Sequence, residues 1–324
     1  MQTVDVHQHL LPEPLIAELA RRQRPPALVR RPTEWTFRVA GEPDSVLSLA
    51  ATDVELRGEE LRSDGLDRAL VSLSAALGIE TLPGEEAATL LDAYHLGLDA
   101  LPGHFGGWGA VQLETPDPAD VDALIAAGRV GLSLPATALA DPDALERVGP
   151  LLARLELHHA PLFVHPGPVA RDGRPEVGAS APIWWPALTD YVSQMQAAWF
   201  AFLHSGRRQH PRLRILFAML AGGAPLQLER YAARGGGDAP APDPLVFYDT
   251  SSYGPRMLEA MVGAVGAAQL VYGSDRPVVD ARMPQLDDPL ARALLSRNPQ
   301  RLLTPTRKET SIDRAHRGDR ANGR

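Results

Sequence analysis

"TVDVHQHLLPEP" (residues 3–14) opens the chain with an apolar alternation, Val4 and Val6 around Asp5, and closes it with two histidines one residue apart. Alternation of this kind predicts a short β-strand. Residues two apart on a strand point to the same side, so His7 and His9 can reach one ion together. On its own the pair fits a hydrogen-bonded polar strand end equally well. The rest of the chain decides between the two readings.

Seven further apolar runs recur after it: "RALVSLS" (68–74), "FGGWGAVQL" (105–113), "VGLSLP" (130–135), "PLFVH" (161–165), "LRILFAM" (213–219), "LVFYDTS" (245–251) and "QLVYGSD" (269–275). Between them lie stretches with apolar residues at helical spacing, such as 142–158 and 187–204. Alternating strand and helix predicts parallel pairing, and eight such repeats predict an α/β protein with a closed (β/α)8, or TIM, barrel. The length of 324 residues suits one such barrel over residues 1–303, with 304–324 as a polar tail. That tail, "TPTRKETSIDRAHRGDRANGR", lacks apolar periodicity and is expected to be disordered.

Two insertions interrupt the rhythm at the expected mouth. Residues 20–52 separate the first strand from its helix, and "EWTFRV" (34–39) and "SVLSLA" (45–50) suit a small hairpin. Residues 166–186 follow the fifth strand and contain Trp184 and Trp185. Long loops at strand C-termini line or cover barrel active sites, so these tryptophans are candidates for lining the pocket, or for packing their own loop. "GGGDAPAPDP" (235–244) is a flexible connector.

Composition narrows the function. A formal charge of −8 and a pI near 5.7 argue against nucleic acid as a partner. No cysteine is present, which excludes disulfides and thiolate chemistry and fits a reducing compartment. No apolar stretch is long enough to span a membrane, and no leader pattern precedes the first strand, so the expectation is a cytoplasmic protein.

In a barrel, polar residues at the C-terminal ends of strands converge on one mouth. His165 ends the fifth strand and Asp275 the eighth, at the end where the first strand places His7 and His9. Three imidazoles and one carboxylate suit a single divalent ion: zinc, with manganese as the alternative, and one coordination position open. His204, His210, His158 and His159 fall near helix ends or turns at the opposite face. Ser72, Ser74, Ser251, Ser252 and Tyr253 lie at strand ends and can bond either a substrate or nearby backbone.

These motifs, with "LFVHPGP", "HPRLRILFAMLAGGAPLQLER", "YGSDRP" and "NPQRLL", resemble the amidohydrolase superfamily. The likeness is greatest to its branch of aminocarboxymuconate-semialdehyde decarboxylase and the aromatic ortho-acid decarboxylases. The resemblance implies that His7, His9, His165 and Asp275 bind the metal and that Asp275 is the catalytic acid–base group. It also implies a histidine at the end of the sixth strand. Met219 stands there instead, and a thioether is neither a base nor a good ligand for such an ion. Met219 is therefore a candidate for substrate contact, as is Arg276, whose guanidinium can pair with a carboxylate or with a neighbouring acid.

Two reactions share this site. One is non-oxidative decarboxylation of a small aromatic or unsaturated acid, with Asp275 delivering the proton. The other is hydrolysis of an amide, lactone or ester by metal-activated water. Loss of the sixth-strand histidine harms the second more. A ligand-binding barrel without turnover is the third reading. The partner expected is a small-molecule carboxylate, and a homodimer is left open.

Overall fold

Every one of the eight apolar runs carries a strand in the computed structural model, which describes residues 1–169, 182–279 and 288–304. Strand β1 (Val4–Gln8) comes first, followed by helix α1 (Glu13–Arg21). The insertion then holds β2 (Ala27–Arg30), β3 (Glu34–Arg38) and β4 (Ser45–Ser48), before helix α2 (Val54–Ser63). The remaining barrel strands are β5 (Arg68–Val71), β6 (Phe105–Gly107), β7 (Leu132–Pro135), β8 (Leu162–His165), β9 (Ile215–Phe217), β10 (Val246–Asp249) and β11 (Leu270–Val271).

Neighbouring barrel strands pair in parallel, in the orders β1-β5-β6 and β7-β8-β9-β10-β11. Isolated parallel bridges join the two sets, Gly109 to Leu132 and Gln8 to Arg276. Backbone bonds Val6 N to Tyr272 O and Asp275 N to His7 O, both 2.9 Å, complete the seam. The barrel closes there, beside the metal-ligand candidates.

Between strands, helices α3 (Gly84–Asp99), α4 (Pro118–Ala126), α5 (Pro142–Leu157) and α6 (Trp185–Ala201) form the outer layer. Their starts are written locally. Asp117 and Asp141 cap the first amides of α4 and α5, at 2.8 and 2.7 Å, and each is followed by a proline at the first helical position. Val6, Leu70, Phe163, Val164, Leu216 and Phe217 are fully buried in the core.

The expected hairpin forms, with Trp35 opposite Leu47. It has a third strand that sequence patterning did not predict: β2 pairs antiparallel with β3, Leu28 opposite Phe37. Ala27 and Leu28 are buried, so β2 roots the insertion in the core. Residues 170–181 of the second insertion, and the tail from 305 on, lie outside the described residues. Among the described residues no helix is long and apolar enough to cross a membrane.

The turn after β5 buries a carboxyl group. Glu80 is fully buried, neither of its carboxylate oxygens has a hydrogen-bond partner among the described residues, and burial pushes its pKa up to about 7. A carboxyl raised in the folded state is fully compatible with folding below its unfolded pKa and opposes folding as pH climbs towards 7. Stability should therefore fall between about pH 4.5 and 7 by up to about 3 kcal/mol. Glu80→Gln should flatten that slope and raise the melting temperature at pH 8; equal slopes for both proteins would contradict the reading.

Candidate metal centre

The four residues singled out at the strand ends come together. One ligand atom from each of His7, His9, His165 and Asp275 lies within 4.8 Å of every other. The Nε2 atoms of His7 and His9 are 3.1 Å apart, as are those of His9 and His165. Asp275 Oδ1 lies 3.5 Å from His7 Nε2 and 3.2 Å from His9 Nε2. The three imidazoles are buried and Asp275 is the more open of the four.

What turns each Nε2 inward is an acceptor behind the ring. His7 Nδ1 lies 2.7 Å from Asp249 Oδ2, His9 Nδ1 3.0 Å from Ser72 O, and His165 Nδ1 2.9 Å from Pro166 O. A carboxylate or carbonyl cannot donate, so each Nδ1 carries a proton and Nε2 is the nitrogen left to hold an ion. Three such nitrogens this close repel one another unless a proton or a metal ion lies between them. Nitrogen ligands at tetrahedral zinc sit about 3.3 Å apart, given metal–nitrogen bonds of about 2.0–2.1 Å. The donor set thus fits a divalent ion.

Charges reinforce the fit. Burial pushes His7 down, but the carboxylates of Asp249 and Asp275 outweigh it and hold the imidazole up at about 9. Burial, together with His9 and His7, pushes His165 well below its ordinary value. A cluster that attracts positive charge at one ring and rejects protons at another is suited to a metal.

Asp249, at the end of β10, is the hub of the surrounding layer. Besides His7, it accepts Met219 N at 2.8 Å, Ser251 N at 3.0 Å and Ser251 Oγ at 2.5 Å. Asp5 plays a similar part below, accepting His7 N at 3.1 Å, Ser274 N at 3.0 Å and Gln8 Nε2 at 2.8 Å. Arg57 of α2 holds the outer side of β1, donating to Gln8 Oε1 at 2.6 Å and His9 O at 3.1 Å. Phe163 packs edge-on against His7, with Trp108 beside it, as the floor. Gly273 permits this density: a Cβ there would lie 2.9 Å from both His7 Cβ and Asp249 Cβ.

Met219 does follow the sixth barrel strand, β9. From there the backbone turns left-handed for five residues, Met219 to Gly223, with φ of 44, 53, 54, 60 and 73°. Three of these carry a Cβ, at a cost of roughly 1–2 kcal/mol each. At Gly222 a Cβ would also meet Val192 O of α6 at 2.7 Å.

Other candidates lie elsewhere. Arg276 does not face the ligands: it pairs with Asp64, at the end of α2, at 2.6 Å. Gln8 and Arg276, which bridge each other, both reach towards α2, while the neighbouring His7, His9 and Asp275 turn inward. Trp184 and Trp185 lie side by side at the start of α6, their rings tilted by 35° and 5.6 Å apart, 51% and 42% exposed. Ser72 and Ser251 serve His9 and Asp249. Sequence patterning assigned no role to Asp249, Asp5 or Arg57. Asp249 stood within reach of the logic that found Asp275, as an acid ending a barrel strand.

Elemental analysis should find one divalent ion per chain. Asp249→Ala, which leaves all four ligands in place, should weaken metal binding by about 10–100-fold in competition with a chelating dye. Unchanged affinity in a folded variant would remove Asp249 from the site.

No protein-family model matches this chain, and no curated protein sequence matches it. Solved structures do. IDCase from Metarhizium anisopliae superposes with a TM-score of 0.72 at 19% identity, over 93% of this chain and 97% of that one. The 2,6-dihydroxybenzoate decarboxylase from Rhizobium gives 0.67 at 17%, over 94% and 99%. The 5-carboxyvanillate decarboxylase from Novosphingobium aromaticivorans, complexed with manganese and 4-hydroxy-3-methoxy-5-nitrobenzoic acid, gives 0.70 at 15%, over 93% and 96%. Others of similar likeness are amidohydrolases by name. The chain shares the (β/α)8 barrel fold of these structures.

Proposed function

We propose that this protein is a metal-dependent carboxy-lyase that removes carbon dioxide, without an oxidant, from a small aromatic or unsaturated carboxylic acid. One observation carries the reading. The site gathers a four-residue ligand set, and among the described residues Asp275 is the one carboxylic group facing it, while Met219 stands where a histidine is expected. Decarboxylation needs one proton delivered to one carbon, which a single carboxyl group can do. Hydrolysis needs a base for water and an acid for the leaving group, and is served less well.

The solved neighbours named as decarboxylases support the reading, and so does the one holding manganese with an aromatic acid. His7, His9, His165 and Asp275 would hold the ion. The nitrogen-rich set favours zinc and accepts manganese. A bound divalent ion would supply positive charge beside the substrate carboxylate.

The chain's own residues do the rest. Protonated Asp275 gives its proton to the ring or vinyl carbon, and the bond from that carbon to the carboxylate breaks. Carbon dioxide leaves, and Asp275 regains a proton from solvent. Met219 offers an apolar, polarisable contact to the substrate ring. The exposed Trp184–Trp185 pair is the hydrophobic cover we assign to the bound acid. Arg276, committed to Asp64, is left out of the substrate contacts.

In deuterated water the product should carry deuterium at the vacated carbon. Asp275→Asn should keep much of the metal and lose turnover by at least about a hundredfold. Cleavage of amides or lactones, with no carbon dioxide released from any such acid, would replace this reading by hydrolysis.

A further inference from the structure

The connector that joins β9 to β10 also walls a cavity. Pro240, Pro242 and Pro244 at its end line a space of about 410 Å³, together with residues of α6, of the turn beyond it and of the helix Pro255–Val265. Small-molecule sites run from roughly 300 to 1,000 Å³. Asp243 fixes the connector there, accepting Arg207 Nε at 2.5 Å and Leu245 N at 2.9 Å. Strand β10 reaches the cavity through Val246 and Tyr248. Asp249, the next residue, turns inward to His7, so Tyr248 faces out of the barrel, away from the metal ligands.

Most of the lining is apolar, Trp199, Phe202 and Val265 included, yet two residues on it hold donors without acceptors. The Tyr248 phenol is 3% exposed and accepts Trp199 Nε1 at 3.0 Å. That bond fills a lone pair of the oxygen and leaves the phenol's own proton without an acceptor among the described residues. Burial pushes the phenol far above its ordinary range, so the proton stays in place. Arg207 gives Nε to Asp243 and Nη1 to His210 O and Leu213 O, while its buried Nη2 has no partner among the described residues. Buried donors without acceptors are costly, and a ligand oxygen would satisfy them. Charge decides which oxygen suits best. Arg207 and Arg208 on the lining are answered by one acid, Asp243, which leaves the cavity net positive.

We propose that this cavity is a second ligand site, separate from the metal centre, and that it takes a small apolar molecule ending in a carboxylate. The apolar walls hold the body of the molecule, and the Tyr248 phenol and Arg207 hold its head. Arg208, at an exposed position, supplies the unbalanced charge.

The test is calorimetric binding of octanoate and of octan-1-ol to the manganese-loaded protein, as wild type, Tyr248→Phe, Arg208→Glu and Ala264→Phe. Ala264, on the helix Pro255–Val265, lines the cavity, and a phenyl ring there takes up its space. Wild type should bind octanoate at least about tenfold more tightly than the alcohol, the scale of a hydrogen bond to a charged group. Tyr248→Phe should weaken octanoate about tenfold and Arg208→Glu about threefold. Ala264→Phe should weaken both ligands at least about tenfold. Manganese content should stay the same in all three variants. If Tyr248→Phe fails to fold, the other two, at exposed and half-buried positions, carry the test. Octan-1-ol binding as tightly as octanoate overturns the carboxylate assignment. Octanoate affinity that survives both Ala264→Phe and Arg208→Glu places the acid at the metal and overturns the second site, and so does a wild type that binds no octanoate.

Discussion

Three imidazole Nε2 atoms converging on one point are the constraint on which the site depends. Like-facing nitrogens 3.1 Å apart are unfavourable in a buried setting, where little solvent screens them. They stay there because each ring is held from behind by an acceptor that permits no other tautomer. The barrel supplies those acceptors from separate strands: Ser72 beyond β5, Pro166 beyond β8 and Asp249 on β10. Moving any one of these strand ends would release a ring. The closed barrel is therefore what keeps the rings aligned, in addition to carrying them.

The polar residues around the ligands show how such a centre is kept buried without orphaned groups. Asp249 and Asp5 each accept several donors, and Arg57 satisfies the outer edge of β1 through Gln8 and the His9 carbonyl. Burial raises Asp5 and lowers Arg57, so each charged form needs the bonds it makes. Serines that look like substrate contacts in a linear reading are spent on this support.

Much of the architecture was legible in the sequence because its signals are local. Apolar runs at repeated spacing give parallel strands, and a His or Asp ending such a run falls at the mouth. His7, His9, His165 and Asp275 follow from that rule alone. The rule is silent on what lies behind a ring. Asp249 meets His7 across 242 residues, and nothing near either residue announces the contact. Arg276 illustrates a different limit: chemistry allowed either a substrate carboxylate or a neighbouring acid, and the side chain pairs with Asp64 at the end of α2. The strand β2 was hidden by its brevity.

The left-handed turn after β9 has a consequence for how this barrel can change. Its path is set by backbone bonds, by Asp249 holding the Met219 amide, and by Gly222 passing close under α6. None of these involves the Met219 side chain. Position 219 is therefore a socket: its backbone is set by its neighbours, whichever side chain stands there. Exchanging that side chain alters the chemistry on offer without redrawing the scaffold.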